Sequence, residues 1–208
     1  MFDLGSAAYD ACMTPLEVGA LAAVRAHLIT RASGRVLEVG AGTGVNLPYY
    51  DFSKIEELII SDLRIKPRLA EAAAGHQRVT VVQADAEALP FVEGVFDTVV
   101  ATLVLCSVRS PDQGLAELAR VLRPEGRLLF IEHVVSHHPV AHRLMNFANP
   151  GWRLLAGGCN INRDTARAIE EAGFRFVRFA RFGRGLGIAG IAMRARVEKS
   201  PRSSTFRK

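Results

Sequence analysis

The residues with the most chemical content lie in Val36–Gly44, VLEVGAGTG, where an apolar run carries one acid, Glu38, and then gives way to glycines at 40, 42 and 44. Glycines at that spacing let the chain turn sharply and let a ligand come into contact with main-chain N–H groups. Dinucleotide folds use such a turn as GxGxxG, whereas the glycines here alternate strictly, GxGxG. A pyrophosphate would be repelled by the Glu38 carboxylate, while a ligand with an ammonium group would be held by it. An acid with a purely structural role in that buried strand would need a partner of its own.

Two further acids close the next apolar runs. Asp62 ends LIISD and suits a pair of ribose hydroxyls. Asp85, in VVQADAEALPF, suits the exocyclic amino group of adenine, which is a hydrogen-bond donor. Either alone reads equally well as a helix cap or turn residue. Three acids at the carboxyl ends of successive strands describe an adenosine with a cationic end, which points to S-adenosylmethionine as cofactor. The cofactor contacts expected are Glu38, Gly40, Ala41, Gly42, Thr43, Gly44 and Asn46, then Asp62 and Leu63, then Asp85, Ala86 and Glu87, and finally Thr102, Leu103 and Val104.

Transfer of a sulfonium methyl group is an in-line displacement, so the acceptor must be held about 3–3.5 Å from the methyl carbon in a site that excludes water. A thiol needs no dedicated base, because the sulfonium itself draws it toward thiolate. Glu132 and His133 are the candidate catalytic residues, and Tyr9, Leu105, Cys106, His133, Trp152 and Cys159 the candidate acceptor contacts. A lone histidine such as His133 is also commonly a hydrogen-bonded structural residue. Histidines at 133, 137, 138 and 142 raise a zinc reading, but Pro139 interrupts them and no cysteine is near in the chain, so no metal is expected.

To position these residues the chain must alternate strands and helices. Buried strands are expected at Arg35–Val39, Glu57–Ser61, Val79–Gln83, Phe96–Thr102 and Gly126–His133, with a final antiparallel pair at Arg175–Arg181 and Leu186–Arg196 across the turn FGRG. Helical patterns cover Thr14–Arg31, Gly44–Tyr50, Ile65–Ala74, Pro111–Leu122, with Asp112 as its cap, and Arg163–Ala172. The fold expected is α/β, a Rossmann-like seven-stranded sheet, mostly parallel with an antiparallel C-terminal hairpin and helices on both faces. One domain spans 1–198, with a cap helix at 14–31 and a lid-like insertion at about 136–162, and a flexible basic tail follows at 199–208.

The 208 residues suffice for one domain, and 49% apolar with 23% charged residues is ordinary for a globular protein. No signal peptide is read at the N-terminus, and Cys12, Cys106 and Cys159, odd in number and far apart, fit a reducing, cytoplasmic setting. Arg175–Lys208 carries ten basic residues against one acid, Glu198, which reads as a solvated end and not as a nucleic-acid surface. The initial helix packs on the sheet in the simpler reading, with peripheral membrane contact as the other, and the chain acts on a small-molecule acceptor as a monomer or homodimer.

With these motifs in hand, the chain resembles class I S-adenosylmethionine-dependent methyltransferases from about Tyr9 to Arg194, through VLEVGAGTG, the acid of IISD, DAEALPFVEGVFDTVV and VLRPEGRLLF. DAEALPF resembles the branch that includes the ubiquinone and menaquinone methyltransferases. YDACMTPLE, GTGVNLPYY, TLVLCSV, FIEHV and NPGWRLLAGGCNINRDTARAIEEAGF resemble the alkyl-thiol methyltransferase subgroup. SDLRIKPRLA departs from that pattern with a more basic turn, and Glu125 stands in RPEGR where a second glycine is common. The resemblance implies methyl transfer to a small lipophilic thiol or amine. The alternatives are a quinol or phospholipid-headgroup acceptor, or, in another class, a non-catalytic cofactor-binding or nucleic-acid-binding protein.

Overall fold

Seven β-rich runs pair edge to edge: β1 Gly34–Val39, β2 Ile55–Asp62, β3 Val79–Gln83, β4 Phe96–Thr102, β5 Leu122–His133, β6 Phe174–Phe182 and β7 Gly187–Arg194. The computed structural model describes residues 21–136 and 138–195. Tyr9, His137, the first part of the expected cap helix and the tail at 199–208 lie outside the described residues. The seven strands form one sheet in the order β3-β2-β1-β4-β5-β7-β6. β1 pairs parallel with β2 and β4, β2 with β3, and β4 with β5, while β7 is antiparallel to both β5 and β6. The strand order reverses between β1 and β4, and in open α/β sheets ligands bind at the carboxyl ends of the strands flanking such a reversal.

Parallel strands are covered on both faces, and here the pleat sorts their residues between two cores. Leu37, Val99, Leu128 and Phe130 pack with Leu115 and Leu118 of α3 (Pro111–Val121) and Ile169 of α5 (Thr165–Glu171). Val36, Val100, Leu129 and Ile131 pack on the other face with Leu28 and Ile29 of α1 (Ala22–Ile29) and Leu69 of α2 (Pro67–Ala73). All of these side chains are buried, and each stabilises the fold by about 1.5–3 kcal/mol relative to an exposed position.

Three local expectations are corrected. The helix expected at Gly44–Tyr50 is only a 3-10 turn, Leu47–Tyr49, because Gly44 has φ +82° and Pro48 can supply no N–H to a helical ladder. The cap of α3 is Ser110, whose Oγ accepts from the Gln113 N–H, and Asp112 sits instead in the first turn. The insertion at 136–162 contains a 17-residue helix, α4 (Pro139–Leu155), with Pro139 in its first turn where a missing N–H costs nothing.

The late strand β7 is tightly enclosed. A Cβ placed on Gly190 would lie 2.2 Å from the Arg178 carbonyl oxygen and 2.8 Å from the Phe130 ring. Gly190→Ala is therefore expected to destabilise the fold by about 2–3 kcal/mol, read as a lower urea midpoint at unchanged slope.

Candidate active site

The turn after β1 presents glycines in left-handed conformations, and two of them define its surroundings. A Cβ on Gly40 (φ +63°) would collide with Val104 at 2.3 Å, so the loop rests directly on the turn after β4. A Cβ on Gly42 (φ +62°) would meet nothing within 4 Å among the described residues, which leaves space there for a ligand. The Gly42 N–H donates to Asp62 Oδ2 at 2.8 Å, and the Arg64 N–H donates to the other oxygen at 3.0 Å. The β2 acid thus fixes the loop, while Leu63 beside it is exposed.

Glu38 is buried on β1 and accepts from Asn46 Nδ2 at 2.8 Å and from the Tyr50 hydroxyl at 2.6 Å. Asn46 also donates to Thr102 Oγ1 at 3.0 Å, and Arg25 of α1 donates to Asn46 Oδ1 and to Thr102 Oγ1. Burial pushes the Glu38 carboxyl up to about 6, while Tyr50, Asn46 and the Arg25 charge pull the other way. Tyr50 is pushed up in turn by its own burial and by the Glu38 charge. Sequence reasoning found Glu38, Asn46 and Thr102 but missed Arg25 and Tyr50. The signal for Arg25 was a cation in the apolar stretch Ala22–Ile29.

After β3, Asp85 Oδ1 accepts from the Glu87 N–H at 2.9 Å, and Glu87 Oε1 accepts from the Arg109 N–H at 2.7 Å. The mostly exposed Arg109 guanidinium lies 3.6 Å from Asp85 and 3.9 Å from Glu87, contributing at most about 1 kcal/mol by surface pairing. Arg109 was also missed, since it lies far from Asp85 in the chain.

The turn after β4 forms the floor of the acceptor side. Leu103 holds φ +58°, a conformation costing about 1–3 kcal/mol for a branched residue, and its N–H donates to the Ile131 carbonyl at 2.7 Å. The next three N–H groups converge on one carboxylate: Val104 and Leu105 donate to Glu132 Oε1 at 2.9 Å, and Cys106 to Oε2 at 3.1 Å. Burial pushes Glu132 up to about 7, with the three N–H groups opposing. Both of its oxygens face the turn and the side chain is fully buried, so Glu132 positions the acceptor wall; the structure gives it no exposed oxygen with which to take a proton from an acceptor.

Cys106, Cys159 and His133 meet above that turn, with Cys159 Sγ 3.4 Å from Cys106 Sγ and 3.5 Å from His133 Nδ1. Of the thiol pair, Cys159 is the one drawn down, first by its hydrogen bond with Cys106 and then by His133, while the same hydrogen bond and burial push Cys106 up. Trp152, Leu103 and Ile161 pack against this cluster. Leu105 is buried beneath it, and Arg163, missed in the sequence, donates to the Leu105 carbonyl at 2.7 Å. No cysteine is near His133 along the chain, yet the fold brings Cys106 and Cys159 to it across the sheet. Two surface clefts among the described residues, one lined by Gly34, Asp97 and Gly126 and the other by Arg31, Lys54 and Met193, lie at the opposite end of the sheet and border none of these groups.

An acid-bearing glycine turn at the reversal of a seven-stranded sheet of this order defines a Rossmann-like methyltransferase, and the comparisons agree. The model of the methyltransferase domain matches residues 37–130. Phosphatidylethanolamine N-methyltransferase of Cereibacter sphaeroides is 34% identical over 75% of this chain and 84% of its own length. The human thiol S-methyltransferase TMT1A is 35% identical over 67% of this chain and 59% of its own. The chain spans about three fifths of the length of that relative. The S-adenosylmethionine dependent methyltransferase from Mesorhizobium loti has the same fold, with a TM-score of 0.67 at 18% identity over 85% of this chain and 99% of that one. The chain belongs to the S-adenosylmethionine-dependent methyltransferases, and S-adenosylmethionine is its cofactor.

Two outcomes are expected at the cofactor site. Asp62→Ala removes an acceptor that anchors Gly42, and cofactor affinity measured by calorimetry should fall about 10–100-fold. The folded chain binds the Glu38 proton more tightly than the unfolded chain, so its contribution to the stability of the cofactor-free protein is largest below 4.5 and is lost as pH rises through about 6. A cationic ligand reverses that preference, so cofactor affinity should rise as pH increases from 5 to 7, and Glu38→Gln should flatten the profile.

Proposed function

We propose that this methyltransferase transfers the methyl group to the sulfur of a small lipophilic thiol. The observation that carries the reading is the acceptor wall: Leu103, Trp152 and Ile161 around a buried thiol pair, with the nearest carboxylate, Glu132, turned into the backbone. A hydroxyl acceptor must lose a proton to a base and an amine must arrive as its free base, whereas a thiol is drawn toward thiolate by the sulfonium. Thiolate attack on a sulfonium also annihilates two charges, which a water-poor apolar pocket favours. The likeness to the human thiol S-methyltransferase supports this reading, and Cys106 and Cys159, free and buried, suit the reducing compartment expected.

The exterior supports a lipophilic acceptor as well. Helix α4 buries none of its residues, and Val140, Leu144, Phe147, Leu154 and Leu155 recur at helical spacing, all exposed. The chain from Val134 to Arg163 contains no Asp or Glu, while α4 carries Arg143 and Arg153. An apolar stripe on a cationic helix fits the surface of an anionic bilayer, from which a lipophilic acceptor can be drawn. Among the described residues no helix is long and apolar enough to cross a membrane.

Formation of S-adenosylhomocysteine should depend on an added small alkyl thiol and be much slower with a primary alkylamine or with phosphatidylethanolamine. The reverse order would transfer the assignment to an amine or a phospholipid headgroup. In co-sedimentation, the full chain should bind vesicles of phosphatidylcholine with phosphatidylserine more than phosphatidylcholine alone, and Phe147→Glu should reduce binding severalfold.

A further inference from the structure

Three ligand-type side chains from separate segments converge at the carboxyl end of the sheet: Cys106 from the turn after β4, His133 from the end of β5, and Cys159 from the loop between α4 and α5. Their ligand atoms all lie within 4.8 Å of one another. Two sulfurs on a tetrahedral zinc ion with bonds of about 2.3 Å stand about 3.8 Å apart, and a sulfur and an imidazole nitrogen about 3.6 Å apart. The observed separations, 3.4 Å for Cys159 to Cys106 and 3.5 Å for Cys159 to His133, need shifts of a few tenths of an ångström, while Cys106 and His133, within 4.8 Å of each other, close by up to about an ångström. A disulfide would need the sulfurs to close by more than an ångström, to about 2.05 Å.

The surrounding structure holds the ligands in place. The Cys106 N–H is fixed by Glu132, and the Cys106 carbonyl accepts from both the Asn160 N–H at 2.8 Å and Asn160 Nδ2 at 3.0 Å. The Cys159 N–H donates to the Ala156 carbonyl, and Thr165 Oγ1 donates to the His133 carbonyl. Trp152, packed on the cluster, has a buried Nε1 that makes no well-formed hydrogen bond among the described residues and interacts with the Cys159 sulfur. A sulfur that stays anionic would give that donor its acceptor, and coordinated cysteine is thiolate.

We propose that Cys106, His133 and Cys159 bind one soft divalent ion of the zinc class, and that the fourth position takes the sulfur of the acceptor thiol. The second clause rests on the thiol reading above. Two thiolates and one imidazole make the set of three protein ligands found in zinc sites that keep an open position. Binding takes both cysteines as thiolates and releases to solvent the protons they still carry, and coordination of the acceptor releases its thiol proton; no electron is transferred. The coordinated thiolate donates a lone pair to the methyl carbon, the bond from that carbon to the cofactor sulfur breaks with its pair going to that sulfur, and the resulting thioether, a far weaker ligand than a thiolate, leaves.

The test is titration of the reduced, metal-free full chain with cobalt(II). One equivalent should bind, with a near-ultraviolet sulfur-to-cobalt band and the visible bands of a tetrahedral ion, and one equivalent of zinc should displace it. Cys159→Ser and His133→Gln should each weaken uptake at least tenfold while S-adenosylhomocysteine still binds, which controls for folding. Absence of one-equivalent uptake by the unmodified chain, or uptake unchanged in both variants, overturns the site. Addition of a small alkyl thiol should shift the visible bands, whereas an alkylamine should not. Thiol turnover that is unaffected by chelation would overturn the open-position role and leave the thiol reading intact; metal uptake with turnover only on an amine would overturn the thiol reading and the open-position role with it, leaving the three-ligand metal site.

Discussion

The turn after β4 depends on one buried carboxyl group. Glu132 sits at the end of β5 and collects three consecutive N–H groups from the turn after β4, so two parallel strands are joined at their carboxyl ends by a carboxylate where ladder hydrogen bonds have run out. That turn is forced into an unfavourable backbone conformation at Leu103, and the charge opposite offsets the strain. Everything beyond it inherits the geometry: Val104 abuts Gly40 of the cofactor loop, and Cys106 meets Cys159. One acid therefore sets the distance between the cofactor loop and the acceptor wall.

The cofactor half relies on a second buried network of opposite design. Glu38, Tyr50, Asn46, Thr102 and Arg25 link β1, β4, the segment after the glycine turn and α1 through side chains. Arg25 partly compensates the Glu38 charge through Asn46 and Thr102. Such networks are costly when partly satisfied, which ties the packing of α1 to the occupancy of the site.

Much of this was legible because it is local. The bounds of β3 and β4 coincide with their apolar runs, and the three acids sit where alternation of strand and helix places them. The helix after the glycine turn was misread because its apolar spacing was genuine while Gly44 and Pro48 withhold the backbone conformation and donor a helix needs. Helix α4 went unseen as a helix because NPGW at 149–152 reads as a breaker, although Pro150 lies within it, and because it packs no apolar face into the core. Cys106, His133 and Cys159 were each named, but 27 and 26 residues separate neighbours in the chain, and no periodic pattern reports a contact made across a sheet.

The position of β7 bears on how the molecule is made. It is last among the described strands yet lies inside the sheet, between β5 and β6. During synthesis β5 therefore emerges with its outer edge bare, and its backbone groups from Arg127 to His133 stay unpaired until residues 187–193 have left the ribosome. An exposed edge of that length, rich in Leu, Phe and Ile, is a template for wrong partners. The residues carried on β5, Glu132 and His133 among them, therefore depend for their outer-edge pairing on the strand made last among those described.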